Sequence, residues 1–142
     1  MLPRPDPFAF FERHREYGAL ALRLAIGYRL IYGTADNVFS YAHMVEFAEF
    51  LAARGVPAPL FSAFVSAYAQ FICGILFILG AATRYAAVVM IVNFIAALII
   101  AHRGLPYLQN VEPIAILAAS LLLLFQGPGR PSVDSWWNRR RK

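Results

Sequence analysis

Two long apolar stretches follow one another in the middle of the chain and restrict the folds available to it. The first, PLFSAFVSAYAQFICGILFILGAA, covers residues 59–82, and the second, RYAAVVMIVNFIAALIIA, covers residues 84–101. A helix of roughly 20 mostly apolar residues crosses the ~30 Å hydrocarbon core of a bilayer. Because only Thr83 separates the two stretches, we expect two antiparallel membrane helices joined by a tight turn.

The composition extends this expectation to the whole chain. Hydrophobic residues make up 60% of the 142 residues, whereas soluble domains contain about 45–50%. Charged residues make up 15%, and the mean hydropathy is +0.56. A soluble domain of this size buries too little surface to hide so many apolar side chains. We therefore predict an all-α integral membrane protein, a four-helix bundle whose other two spans are residues 17–38 and 107–125.

The segment YAHMVEFAEFLAARG, which begins at Tyr41, has a different character. Its apolar residues recur at helical spacing, but two glutamates and Arg54 lie between them. It is too short and too charged to span a bilayer. We predict a short extra helix at residues 41–54, which either lies in the membrane interface or extends the first span. The predicted organisation is an N-terminal segment 1–16, a membrane domain 17–126 and a basic tail 127–142.

The distribution of positive charge predicts the orientation. Nine basic residues fall on the side that holds both termini: Arg4, Arg13, Arg15, Arg84, Arg130, Arg139, Arg140, Arg141 and Lys142. The opposite side holds Arg54 and Arg103. By the positive-inside rule we expect a multi-pass protein of the bacterial inner membrane with both termini in the cytoplasm. The basic run at the end of the tail is expected to contact anionic lipid heads, not nucleic acid.

Each predicted span carries one strongly polar residue at a similar depth, about 15–20 Å from the cytoplasmic end. These residues are Arg29, Gln70, Asn93 and Glu112. A charge facing lipid costs at least about 2.5–3.5 kcal/mol, so we expect Arg29 to point inward and meet the other three. The predicted ligand-binding residues are Arg29, Tyr28, Tyr32, Gln70, Asn93 and Glu112. A purely structural polar layer is the alternative interpretation.

The remaining charged and polar residues do not indicate a catalytic or metal site. Arg23 lies only about 6 Å inside the membrane, so we expect it to reach back to the interface as an anchor. Four residues crowd the opposite, periplasmic end and would form the rim of a cavity there: Asp36, Asn37, His43 and His102. The single cysteine, Cys73, forms no CxxC pair. We predict no metal site, and no catalytic residue is assigned.

Five stretches of the chain, taken in order, resemble the DoxX family of small bacterial membrane proteins. They are LRLAIG (22–27), GTADNVF (33–39), FLAARGVPAP (50–59), AQFICGILFILGAATRYAA (69–87) and GPGRPSVD (127–134). The resemblance implies a four-helix inner-membrane bundle. It also implies a link to quinone-linked sulfur oxidation, or to membrane assemblies against oxidative stress with partners such as superoxide dismutase and a sulfurtransferase. Many members carry glutamate where this chain has Gln70, and an amide cannot relay protons.

The main functional hypothesis is a membrane component of a redox or oxidative-stress assembly that binds a quinone-like or other lipophilic molecule inside the bundle. The chain supplies no redox centre, so we expect an oxidoreductase subunit and not a self-contained enzyme. Its expected partners are the lipid bilayer, soluble redox proteins on the cytoplasmic side, and further copies of itself. Two alternatives are a non-catalytic scaffold that recruits soluble partners and a small-solute permease.

Overall fold

The computed structural model describes residues 6–141, and every regular element in that range is a helix. The helices are α1 (Ala9–Arg13), α2 (Glu16–Phe39), α3 (Tyr41–Ala53), α4 (Pro59–Leu79), α5 (Thr83–Ala96), α6 (Tyr107–Gln126) and α7 (Val133–Arg140). A π-helical turn at Ala97–Ala101 continues α5. The all-α prediction is therefore confirmed for the described residues.

Three helices are long and apolar enough to cross a membrane: Pro59–Leu79, Thr83–Ala101 and Tyr107–Gln126. The protein is therefore an integral membrane protein in contact with lipid. Helix α2 is longer, at 24 residues, but it carries four charged residues: Glu16, Arg23, Arg29 and Asp36. The observed helices overlap the predicted segments 17–38, 59–82, 84–101 and 107–125, and α3 occupies the predicted extra segment.

The four long helices pack in sequence around a common core. Helix α2 packs mainly against α4, α4 against α5, and α5 against α6, while α2 also touches α6. One fully buried apolar side chain from each of these helices occupies the core: Leu30, Phe77, Met90 and Leu123. Many apolar side chains on the outer faces are exposed, as expected for surfaces that face lipid.

Helices α2 and α4 approach each other through two glycines. A Cβ atom added to Gly27 would lie 2.7 Å from the Gly74 carbonyl oxygen, and one added to Gly74 would lie 2.8 Å from the Gly27 carbonyl oxygen. No real Cβ atom approaches a backbone oxygen so closely. Small residues at such positions let helix backbones touch inside a membrane. The α2–α4 pair therefore depends on the absence of a side chain at both positions.

Helix α3 lies across the end of the bundle opposite the termini, which we call the distal end. Its buried face consists of Met44, Ala48 and Leu51. These side chains form a second apolar cluster with residues of α4 and the π-helical turn: Ala63, Ala67 and Ala101. Helix α3 therefore covers the distal end of α4.

The segment after α6 folds back over the other end of the bundle, which we call the terminal end. The Asp134 carboxylate accepts hydrogen bonds from the backbone N–H groups of Ala82 (2.7 Å) and Thr83 (2.9 Å), and the Asp134 N–H donates to the Gly80 carbonyl (2.9 Å). A carboxylate at this position satisfies free donors at a helix N-terminus and complements the helix dipole. Asp134 therefore acts as the N-terminal cap of α5 from a distant part of the chain.

Arg23 is completely buried beneath this returning segment. Its guanidinium donates to the carbonyl oxygens of Phe77 (3.3 Å) and Pro131 (2.5 Å). The expectation that Arg23 anchors the protein at the membrane interface was wrong. The side chain does extend toward the terminal end, but residues of α4 and of the C-terminal segment enclose it before it reaches the surface.

Candidate functional site

A cavity of about 580 Å³ opens between the helices in the distal half of the bundle. We call it the distal pocket. Residues from α2, α3, α4, α5 and α6 form its wall. Its polar lining residues include Thr34, Asn37, Ser66, Gln70, Asn93, His102, Gln109 and Glu112, and its apolar ones include Phe47, Phe50, Phe61, Phe94 and Ile100. Ligand pockets commonly combine a mostly apolar wall with a few polar groups in this way.

Two amides at similar depth form part of the polar wall. Gln70 Nε2 donates to the Ser66 hydroxyl at 3.0 Å on its own helix. Asn93 Nδ2 on the facing helix is buried and has no hydrogen-bond partner among residues 6–141. An unsatisfied buried donor costs about 1–3 kcal/mol. The Asn93 amide therefore has a hydrogen-bonding capacity that no described residue uses.

Local irregularities of two helices border the pocket. The His102 N–H bonds to the Ala97 carbonyl at 2.8 Å, closing the π-helical turn that ends α5. Pro113 lies inside α6 and has no N–H to donate to the preceding turn. Ala97, His102 and Pro113 all line the pocket. Single π-helical turns occur frequently at functional sites, and here such a turn borders the cavity.

Arg29 and Glu112 form an ion pair between α2 and α6. Arg29 Nη2 lies 2.5 Å from Glu112 Oε1, and the two side chains are 45% and 51% exposed. Glu112 and Gly33 line the distal pocket, and the Arg29 guanidinium occupies the space that a Cβ of Gly33 would need. The pair therefore lies at the edge of the pocket. We expected four spans to enclose the guanidinium, but α6 alone supplies its ion-pair partner within residues 6–141.

The two tyrosines next to Arg29 lie outside the pocket wall. Tyr28 is 66% exposed and Tyr32 is 70% exposed. Their rings stack on each other with centroids 5.9 Å apart. Both are on the outer surface of α2, so the structure does not bring them together with Gln70 and Asn93.

The residues expected at the rim divide into two groups. Asn37 and His102 line the distal pocket, and the His102 Nδ1 atom lies 3.1 Å from the Asn110 side-chain oxygen. Asp36 and His43 are exposed and do not line it. No group of three or more His, Cys, Asp or Glu side chains with a geometry for metal binding occurs in residues 6–141.

The aromatic wall contributed by α3 was not anticipated from the sequence. Phe47 and Phe50 line the pocket opposite residues of α4 and α5. The helical spacing of apolar residues in this segment predicted a helix with one apolar face, but periodicity does not reveal which cavity that face covers.

The sequence is similar to that of a known protein family and to those of membrane proteins from two bacteria. The sequence model of the DoxX family matches residues 18–103. An uncharacterized membrane protein of Mycobacterium tuberculosis is 27% identical over 101 residues, which cover 61% of this chain and 61% of that protein. The inner membrane protein YphA of Escherichia coli is 26% identical over 134 residues, which cover 86% of this chain and 96% of YphA. No solved structure matches.

The matched range runs from the start of α2 through α3, α4 and the whole of α5. It includes the glycine contact between α2 and α4, the buried Arg23 and both amides of the distal pocket. Since the match covers more than half of the sequence and the helical membrane fold agrees with it, the chain belongs to the DoxX family.

Proposed function

We propose that this protein binds a quinone-like molecule, or another lipophilic molecule with a carbonyl head, in the distal pocket. The observation that carries the proposal is the buried Asn93 amide without a partner, in the wall of the same cavity of about 580 Å³ that Gln70 lines. One carbonyl oxygen of a ligand can accept two hydrogen bonds, one from each amide. The phenylalanines in the wall match a flat ring and its apolar substituents.

The proposal includes a fourth span. Helix α2 packs along α4 and touches α6, and its length is similar to that of the three apolar helices. Crossing the membrane together with them, it would bury Arg23 in protein and place Arg29 against Glu112. The excess of arginine at the terminal end supports a cytoplasmic location for both termini. The inner-membrane name of the Escherichia coli relative supports the inner membrane as the location.

The pocket's amide groups limit the chemistry of the proposed site. Gln70 and Asn93 neither take up nor release a proton. The side chains would therefore hold and orient a carbonyl compound, with the amides stabilising negative charge that develops on its oxygen. Electrons would come from a partner, which makes the protein a membrane subunit of a redox or oxidative-stress assembly.

Binding of short-chain ubiquinone and menaquinone analogues to the protein in nanodiscs tests the proposed pocket. The double variant Asn93→Leu with Gln70→Leu keeps side-chain size but removes both donors. Two hydrogen bonds of about 1 kcal/mol each predict a roughly 30-fold weaker binding. Tyr28→Phe removes an exposed hydroxyl outside the pocket and should leave affinity unchanged. Equal affinity of the double variant and the unaltered protein, or no binding at all, would refute the proposal.

A second candidate function is a scaffold that recruits soluble partners through the C-terminal segment. The docked position of this segment favours it, because Asp134 holds α7 against the bundle while Trp136 and Trp137 are about half exposed. Truncation at Pro131 would also remove the α5 cap, so Trp136→Ala with Trp137→Ala is the cleaner variant. The scaffold predicts that this double variant abolishes co-purification of soluble partners, whereas Arg29→Gln with Glu112→Gln preserves it. The opposite pattern would exclude the scaffold.

A further inference from the structure

A second cavity, of about 720 Å³, opens at the terminal end of the bundle. We call it the terminal cleft. Its wall comes from the start of α2, the start of α5, the connection after α6, and α7, and it includes Arg15, Glu16, Arg84, Tyr85, Asp134 and Trp137. It shares no residue with the distal pocket, so any ligand here is independent of the proposed quinone-like one.

The carboxylates in the terminal cleft are already engaged by other groups. Glu16 pairs with Arg130 at 3.7 Å. Asp134 accepts the backbone N–H groups that begin α5. Both carboxylates therefore have partners, and neither of them pairs with Arg15 or Arg84.

Two arginines of the terminal cleft are left with unneutralised charge. Arg15 and Arg84 form no ion pair with any carboxylate among residues 6–141. Arg84 Nη2 makes only a long contact, 3.5 Å, with the Phe125 carbonyl. Both side chains are exposed. An anion that enters the cleft meets two guanidinium groups whose hydrogen-bonding capacity is largely unused.

The surroundings of the cleft indicate where such an anion comes from. Tyr85 is 81% exposed and Trp137 is 53% exposed, and both line the cleft. Aromatic residues of this kind concentrate where the hydrocarbon core meets the lipid headgroups. Just beyond the cleft, the outer surfaces of α5 and α6 expose Val88, Val89 and Leu122. A lipid headgroup in the cleft would therefore have apolar helix surface beside it for its acyl chains.

We propose that the terminal cleft binds the phosphodiester headgroup of an anionic phospholipid. Arg84 and Arg15 contact the phosphate oxygens, and the acyl chains lie along α5 and α6. Basic pockets between membrane helices suit anionic lipid heads in this way, and guanidinium groups match the geometry of phosphate oxygens. A diffuse attraction of the basic tail to the membrane would not require either of these two arginines.

Quenching of the two tryptophans by brominated phosphatidylglycerol tests the site, because Trp137 lies in the cleft wall and Trp136 beside it. Purified protein in a zwitterionic detergent is titrated with brominated phosphatidylglycerol or brominated phosphatidylcholine, and inorganic phosphate is then added as a competitor of the brominated phosphatidylglycerol. We expect phosphatidylglycerol to bind most tightly. Arg84→Gln with Arg15→Gln should weaken it about 25-fold, at roughly fivefold for each arginine.

The matched control removes two charges from the same end but outside the cleft, as Arg13→Gln with Arg139→Gln, and should lower the affinity less than about twofold. Equal losses in both double variants would indicate diffuse attraction and overturn the proposal. So would equal binding of the two brominated lipids. If inorganic phosphate binds as tightly as the lipid, the assignment to a phospholipid is wrong. Arg15→Gln alone, at the exposed start of α2, provides the same comparison should the Arg84 variant fail to fold.

Discussion

Replacing Arg23 by glutamine is expected to lower the free energy of unfolding by about 2–3 kcal/mol, because at least one hydrogen bond from a charged donor is lost and each contributes about 1.5–3 kcal/mol. The guanidinium joins three parts of the chain: α2, the Phe77 carbonyl at the end of α4, and the Pro131 carbonyl in the C-terminal segment. Glutamine is too short to reach both carbonyls. The C-terminal segment should therefore detach from the bundle more readily.

Arg130→Gln is the matched control for this prediction, because it makes the same change at the terminal end of the protein. Arg130 and Glu16 are 3.7 Å apart and their side chains are 60% and 50% exposed, so loss of this pair should cost no more than about 1 kcal/mol. Thermal unfolding in detergent measures both variants. Limited proteolysis after α6 gives a second readout, in which the Arg23 variant should be cleaved faster. Equal stability of the two variants would contradict the structural role assigned to Arg23.

Replacing Gly27 by valine is expected to lower the free energy of unfolding by about 3 kcal/mol, at the upper end of the usual cost of overpacking. Its Cβ alone would lie 2.7 Å from both the Gly74 carbonyl oxygen and the Ile78 side chain. The Gly74 oxygen belongs to a helix backbone and cannot move without shifting α4. The two helices must therefore separate, and the core between them loses contacts.

Gly18→Val is the control, since it places the same side chain on the same helix where no atom lies within 4 Å of an added Cβ. Valine and glycine differ by only about 0.5 kcal/mol in helix propensity, so stability should hardly change. Denaturation in increasing SDS, followed by circular dichroism, compares the two variants. A Gly27 variant as stable as the Gly18 variant would show that α2 and α4 do not depend on this contact.

Much of the fold follows from local sequence signals. The apolar runs and the Gly- and Pro-rich connections place α4, α5 and α6 within a few residues of their observed ends. Depth counting along these helices also places Gln70 and Asn93 at one level, and both line the distal pocket. A rise of 1.5 Å per residue is nearly constant in any helix, so the depth of a residue can be calculated without knowing which helices are neighbours.

The direction in which a side chain points is harder to predict. Tyr28 adjoins Arg29 in sequence, but consecutive residues of a helix point about 100° apart, and Tyr28 faces outward. The burial of Arg23 depends on Pro131, which is 108 residues away in the chain. Neither hydropathy nor helical periodicity contains information about such a contact. The π-helical turn that borders the distal pocket has no distinctive sequence signal either.

The cap on α5 has a consequence for biosynthesis. Asp134 lies 51 residues after Thr83, and a ribosome adding roughly 5–20 residues per second needs several seconds to reach it. Until Asp134 has been added, the backbone N–H groups of Ala82 and Thr83 lack this carboxylate partner. The turn between α4 and α5 can therefore become fully hydrogen-bonded only after α6 has been synthesised.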